Sequence, residues 1–137
     1  GAQRVLLIAA TLRCYMNESG GPTSSLANFF KVSSDHIIIA HDELDIPFQS
    51  IRIKYGGGDN GHNGLKSVTS GLSSSDYYRI RLGIGRPIGE QDPADFVLKP
   101  FSSTERKDLD LFLQRGIDAV ELLITQGIEK AQNSFNK

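Results

Sequence analysis

With 137 residues, 39% of them hydrophobic and 23% charged, the chain has the size and composition of one ordinary soluble domain, residues 1–137, able to bury a real core. A net charge of −1 sets up no global field for nucleic acid, although a local basic stripe would suffice for one; the lone Cys14 excludes an internal disulfide and fits a reducing compartment. No apolar run approaches the roughly 20 residues that span a membrane, and Arg4 precedes only the short run 5–10, so no anchor or signal peptide is read and a cytoplasmic location is expected.

In chain order, residues 5–10 and 37–40 are short, continuous apolar runs, expected to be buried strands of a sheet covered on two faces. Between them, residues 24–31 place Leu26, Phe29 and Phe30 at helical spacing, with Pro22 near the helix start. Residues 51–55 and 78–84 alternate apolar and basic side chains as half-buried strands do; Ile80, Leu82 and Ile84 are expected on one face, Arg79 and Arg81 on a solvated other. A helix-like stretch at 65–70 separates these strands. Residues 87–93 read as a loop and 93–98 as a short helix. The capping box Ser102 to Glu105 opens a long helix whose apolar stripe is Leu109, Phe112, Leu113, Ile117, Val120 and Ile124, weakened or punctuated by Gly116 and Gly127. Helices interleaved with short strands predict an α/β domain.

The segment Y-G-G-G-D-N-G-H-N-G-L at residues 55–65 carries the most information. Five glycines fall within nine residues, where core packing has no use for them; glycine serves where the backbone takes φ > 0 or must approach another group. They hold His62, a proton carrier, and Asn63, a carboxamide, between a strand and a helix, a common setting for a site on an α/β fold. Three other patches stand out: C-Y-M-N-E-S-G at 14–20, H-D-E-L-D at 41–45 and R-I-R-L-G-I-G-R at 79–86. The second resembles a metal site, but no H-E-x-x-H and no Cys pair accompanies it, so an orienting carboxylate is the better role. The glycine run lacks the P-loop and dinucleotide patterns, Cys14 has no neighbouring His, and no Ser sits in a G-x-S-x-G elbow.

Together these four patches, in this order and spacing, resemble the bacterial peptidyl-tRNA hydrolase family, in a form similar to actinobacterial members; G-G-G-x-x-G-H-N-G-L is highly specific to it. The resemblance runs from about Val5 to near the C-terminus. It implies a mixed central β-sheet flanked by helices, and hydrolysis of the ester between a peptide and the 3′-terminal ribose of tRNA, by a monomer using no metal or cofactor. It implies that Asn17 holds substrate and positions the water, that Asp42 orients and charge-stabilises the catalytic histidine, and that Asn63 binds the peptide main chain or ester carbonyl with His62 beside it. Tyr15 and Met16 would line the channel for the tRNA end and peptide, and Arg52, Lys54 and Arg81 would lie near the tRNA path. Ester hydrolysis needs an oriented water, a base and donors aimed at the oxyanion, and a carboxamide both donates and accepts.

The family opens with a segment resembling G-L-x-N-P-G followed by T-R-H-N, which supplies the catalytic histidine and the first strand. Nothing here matches it, and the chain opens on Gly-Ala-Gln with Met16 as its only methionine. The expectation is therefore a hydrolase of this family that is truncated before Gly1, has little activity as it stands, and associates, if at all, through the edge thus exposed. Two other readings use the same residues: a non-catalytic RNA-binding module of this fold, and a fragment completed by a partner chain.

Overall fold

The computed structural model describes residues 18–58, 61–85 and 103–136. The expected strand at 5–10, loop at 87–93, short helix at 93–98 and cap at Ser102 lie outside the described residues. The described residues form two compact units, 18–32 with 61–74, and 33–58 with 75–85 and 103–136.

The second unit carries a mixed three-stranded sheet of β1 (Ile38–Glu43), β2 (Ile51–Tyr55) and β3 (Tyr78–Gly83), in the order β1-β3-β2. β1 runs parallel to β3 and β2 antiparallel to it. Alternation along the strands puts Ile51, Ile53 and Ile80, each 1% exposed, into one core with Phe112, Ala119, Leu123 and Ala131. The last four come from α3 (Ser103–Gln126) and α4 (Ile128–Phe135), which cover this face. Burial of each large apolar side chain stabilises the unit by about 1.5–3 kcal/mol.

Three expectations change here. The run 37–40 is not buried on two sides: Ile38 and Ile39 are half-buried and Ala40 is exposed. The packed stripe of α3 is Phe112, Ala119 and Leu123, with Leu109 and Val120 partly buried, whereas Leu113 and Ile117 are exposed. Gly116 lies on the packed side, where an added Cβ would stand 3.5 Å from Leu82, so α3 is continuous through it. A stripe sought only among large side chains misses the small residues that let a helix approach a sheet. Gly127, in contrast, does punctuate: its φ of +89° ends α3 and starts α4. The third change concerns Arg79, which is 1% exposed and does not lie on a solvated face.

Among the described strands β2 is an edge, and α4 covers it. The Asn136 carboxamide accepts from the Ile53 N–H at 2.6 Å and donates to the Ile53 carbonyl at 2.9 Å; Gln132 donates to the same carbonyl at 3.1 Å. One side chain thus acts as a strand neighbour, satisfying backbone groups that an edge leaves open. Asn136→Ala should cost about 1–3 kcal/mol in urea unfolding; a loss within a few tenths of wild type would show that water serves Ile53 equally well.

The first unit packs α1 (Gly20–Phe30) on α2 (Asn63–Leu72). Helix α1 begins earlier than its apolar residues suggest, and Pro22 sits in its first turn, where no backbone N–H is required. Its buried residues are Gly20 and Thr23, whereas Phe29 is 78% exposed and touches Phe30 edge-on at 4.9 Å. Small residues make the contact. A Cβ on Gly20 would fall 1.9 Å from the Ser67 carbonyl oxygen, and one on Gly71 would fall 2.3 Å from that of Gly20.

Candidate active site

Asn63 is exposed at the first position of α2 and His62 is its N-cap. The cap is made by the imidazole: Nδ1 accepts from the Leu65 N–H at 3.2 Å. An accepting Nδ1 leaves the ring proton on Nε2, so this hydrogen bond fixes the neutral tautomer and commits the lone pair that a base would use. His62 therefore holds the helix end that carries Asn63, in addition to whatever it offers a substrate. His62→Ala should destabilise the protein by about 1 kcal/mol and His62→Asn should restore most of that loss, because Asn is a good N-cap. If His62→Asn is no more stable than His62→Ala, the cap is not what the imidazole contributes.

The N-terminal patch is stitched to the same helix. Ser19 donates from Oγ to the Gly64 carbonyl at 3.2 Å, and the Gly20 N–H donates to Ser67 Oγ at 2.8 Å. The S-G of the 14–20 patch is thus joined to the residues that follow Asn63. Cys14, Tyr15, Met16 and Asn17 themselves lie outside the described residues. Asn63, Lys66, Ser67, Ser70, Gly71 and Gly21 line an open polar groove of about 600 Å³ along the two helices.

In the second unit, β1 runs through His41, Asp42 and Glu43, so these are strand residues and not the loop after a strand. Asp42 is half-buried, pairs with Leu82 and shares its face of the sheet. His41 is buried on the opposite face, and its Nδ1 donates to the Asp42 carbonyl at 3.0 Å, which puts its ring proton on the nitrogen other than the one used in His62.

On the His41 face the register sets Arg52 opposite Arg81 and Lys54 opposite Arg79. Like charges directly opposed are unfavourable. Two of the four are compensated: Arg81 Nε lies 3.4 Å from Oε1 of the buried Glu43, and Arg79 is bonded to backbone carbonyls. Arg52 and Lys54, both half-buried, have no ion pair among the described residues.

Beyond Glu43 the chain folds back over β3. The Gly83 N–H donates to the Ser50 carbonyl at 2.8 Å and the Gly85 N–H to that of Ile46 at 3.0 Å. A Cβ on Gly83 would stand 2.1 Å from the Pro47 carbonyl oxygen, so the first glycine of G-I-G is there for close approach. Because β2 is antiparallel, the glycine run leaves the sheet at the opposite end, where Gly56 donates to the Tyr77 carbonyl at 3.0 Å. Register places the start of that run about 16–17 Å along the sheet from Asp42. At this second end burial, and then the nearby Asp76 charge, push the Tyr55 phenol above its ordinary pKa, so it stays protonated at neutral pH.

Among the described residues, no cluster of three or more His, Cys, Asp or Glu could hold a metal ion, and no helix is long and apolar enough to cross a membrane.

The mixed sheet with its covering helices in one unit, and the helix pair that carries the polar Asn63 groove in the other, define an α/β protein. The sequence profile described as "Peptidyl-tRNA hydrolase" matches residues 1–137. The chain is 55% identical over 133 residues to the peptidyl-tRNA hydrolase of Kineococcus radiotolerans, covering 97% of this chain and 66% of that protein. It is 60% identical over 124 residues to that of Rhodococcus erythropolis, covering 90% of this chain and 65% of that one. Its fold is similar to the crystal structure of peptidyl-tRNA hydrolase from Acinetobacter baumannii, with a TM-score of 0.75 and 34% identity over 87% of this chain and 60% of that one. The chain belongs to the peptidyl-tRNA hydrolase family. It spans about two thirds of the length of the curated relatives it matches.

Proposed function

We propose that the site cleaves the ester linking a peptide, or an N-blocked amino acid, to the terminal ribose of tRNA, in the recycling of tRNA during translation in the cytoplasm. The observation that carries this reading is the exposed Asn63 carboxamide at the N-terminus of α2, within the residues that the peptidyl-tRNA hydrolase family profile matches. Its NH2 group can donate to the ester carbonyl, where negative charge develops when water attacks, and its oxygen can hold the water or a peptide N–H. The positive end of α2 favours the same anion. Asp42 is the carboxylate that orients a histidine base and stabilises it once charged. In a chain that carries the family's T-R-H-N-like segment, the histidine of that segment takes the proton of the attacking water and returns it to the departing ribose oxygen, so the products are the peptide carboxylate and a free tRNA hydroxyl. Asn17 holds substrate and water, Tyr15 and Met16 line the path of the tRNA end, and Arg52, Lys54 and Arg81 meet phosphates. Needing neither metal nor cofactor, the protein acts as a monomer.

Cleavage of labelled N-acetyl-aminoacyl-tRNA at low salt, with band-shift binding on the same samples, tests the reading. With three cations on phosphates, log affinity should fall against log salt with a slope of about −2 to −3. Release of the N-acetyl amino acid together with such a slope supports the proposal. Binding without release would mean a recognition surface without a catalytic base in this sequence, as the non-catalytic RNA-binding reading also has it, and absence of both would remove tRNA as its partner.

A further inference from the structure

Arg79 alternates with Ile80 along β3, yet each is 1% exposed. Its guanidinium donates through Nη1 to the carbonyl of Gly58 and through Nη2 to those of Gly57, at 2.9 Å, and Ser75, at 3.4 Å. The guanidinium carbon lies 4.6 Å from the centre of the Tyr77 ring. Among the described residues no carboxylate pairs with it; a buried positive charge is held by carbonyl dipoles and a ring face.

The loop so gripped has little else to define it. Gly56 and Gly57 sit at φ of +68° and +92°. A run of glycines has the largest backbone entropy to lose and, left alone, behaves as a flexible linker. One planar fork bonded to two successive carbonyls fixes their direction, which a point charge such as an ammonium does far less well. The fixed surface supports a neighbouring side chain. A Cβ on Gly57 would stand 2.6 Å from both Cε and Nζ of Lys54, so that ammonium rests on the Gly57 backbone.

We propose that Arg79 is a positioning residue: it meets no phosphate itself, but fixes the Gly57–Gly58 backbone on which the Lys54 ammonium rests and from which the chain leads to His62 and Asn63. This assignment rests on the proposed tRNA-binding function for its consequence, but not for the loop geometry. It separates Arg79 from Arg52, Lys54 and Arg81, with which it shares a face by sequence alternation.

The experiment pairs amide hydrogen exchange of the 56–58 segment with salt-dependent binding of N-acetyl-aminoacyl-tRNA, on the unaltered chain, Arg79→Lys and Arg79→Met. Arg79→Lys keeps the charge and loses the fork. The expected result is loop exchange faster by about tenfold or more and binding weaker by about fivefold, with the salt slope unchanged in both variants. Exchange unchanged, with the slope of Arg79→Met reduced by about 0.7–0.9, would make Arg79 a phosphate contact and overturn the proposal. Undiminished binding and unchanged exchange in Arg79→Lys would overturn it too. Should the unaltered chain bind no tRNA, faster loop exchange in Arg79→Lys still upholds the positioning of the loop, and the failure belongs to the proposed function. Should both Arg79 variants unfold, Gly57→Ala puts the question from the exposed side of the loop: binding weakened by about fivefold supports the assignment, and undiminished binding sinks it.

Discussion

In a chain joined to the family's T-R-H-N-like segment, Asn63→Ala should lower the rate of ester cleavage on N-acetyl-aminoacyl-tRNA by about 10²–10³-fold, the range for removing one preorganised oxyanion donor, the role proposed for Asn63. The fold should be indifferent to the change. Asn63 is exposed at the first position of α2, and the cap is made by the neighbouring His62 ring. A thermal midpoint within a degree or two of wild type is therefore part of the prediction. Asn63→Asp is the sharper variant, because it is nearly isosteric, loses both N–H donors and sets a negative charge where the oxyanion forms; its rate should fall at least as far. An Asn63→Ala protein that cleaves within about threefold of wild type would show that stabilisation comes from elsewhere, for example backbone amides.

The second large effect is on stability, and it separates two adjacent glycines of identical appearance in the sequence. Gly20→Ala should cost about 3 kcal/mol or more, because the new methyl would stand 1.9 Å from the Ser67 carbonyl oxygen, a backbone atom that cannot swing aside, and 2.9 Å from Ser67 Oγ. The same change would also dislodge the Gly20 N–H to Ser67 Oγ bond that ties the two helices. Gly21→Ala meets nothing within 4 Å and replaces a helical glycine, so it should be neutral or stabilising by up to about 1 kcal/mol. Urea unfolding of the two single variants decides it. Equal stabilities would mean that α1 and α2 are not packed as closely as their backbones indicate. Because Gly20 ties α1 to the helix that begins at Asn63, cleavage by Gly20→Ala should fall along with its stability.

The elements show where local sequence suffices. β2 runs over Ile51–Tyr55 as its alternation predicts, and the 55–65 motif does use its glycines at positive φ, at Gly56, Gly57 and Gly61. Those are consequences of the residue's own stereochemistry and of the two-residue period of a strand. The motif also identified the family, because the order and spacing of side chains are properties of the chain alone.

Burial was not legible in the same way. Arg79 and Arg81 are alike in period and type, yet one is bonded to the carbonyls of a glycine loop and the other pairs with Glu43. Phe29, large and apolar, is exposed, while Gly20 beneath it in rank is buried. A one-dimensional pattern carries propensity and period but not the identity of the opposing surface. The sequence by itself thus determined the α/β class, the family and the residue types available for ester chemistry. Only the tertiary structure decided that His62 is a helix cap, that Asp42 and the glycine run lie at opposite ends of the sheet, and that Gly20 tolerates no methyl where Gly21 does. Each of these depends on atoms distant in the chain coming within a few ångströms, and sterics and hydrogen bonding act only at that range.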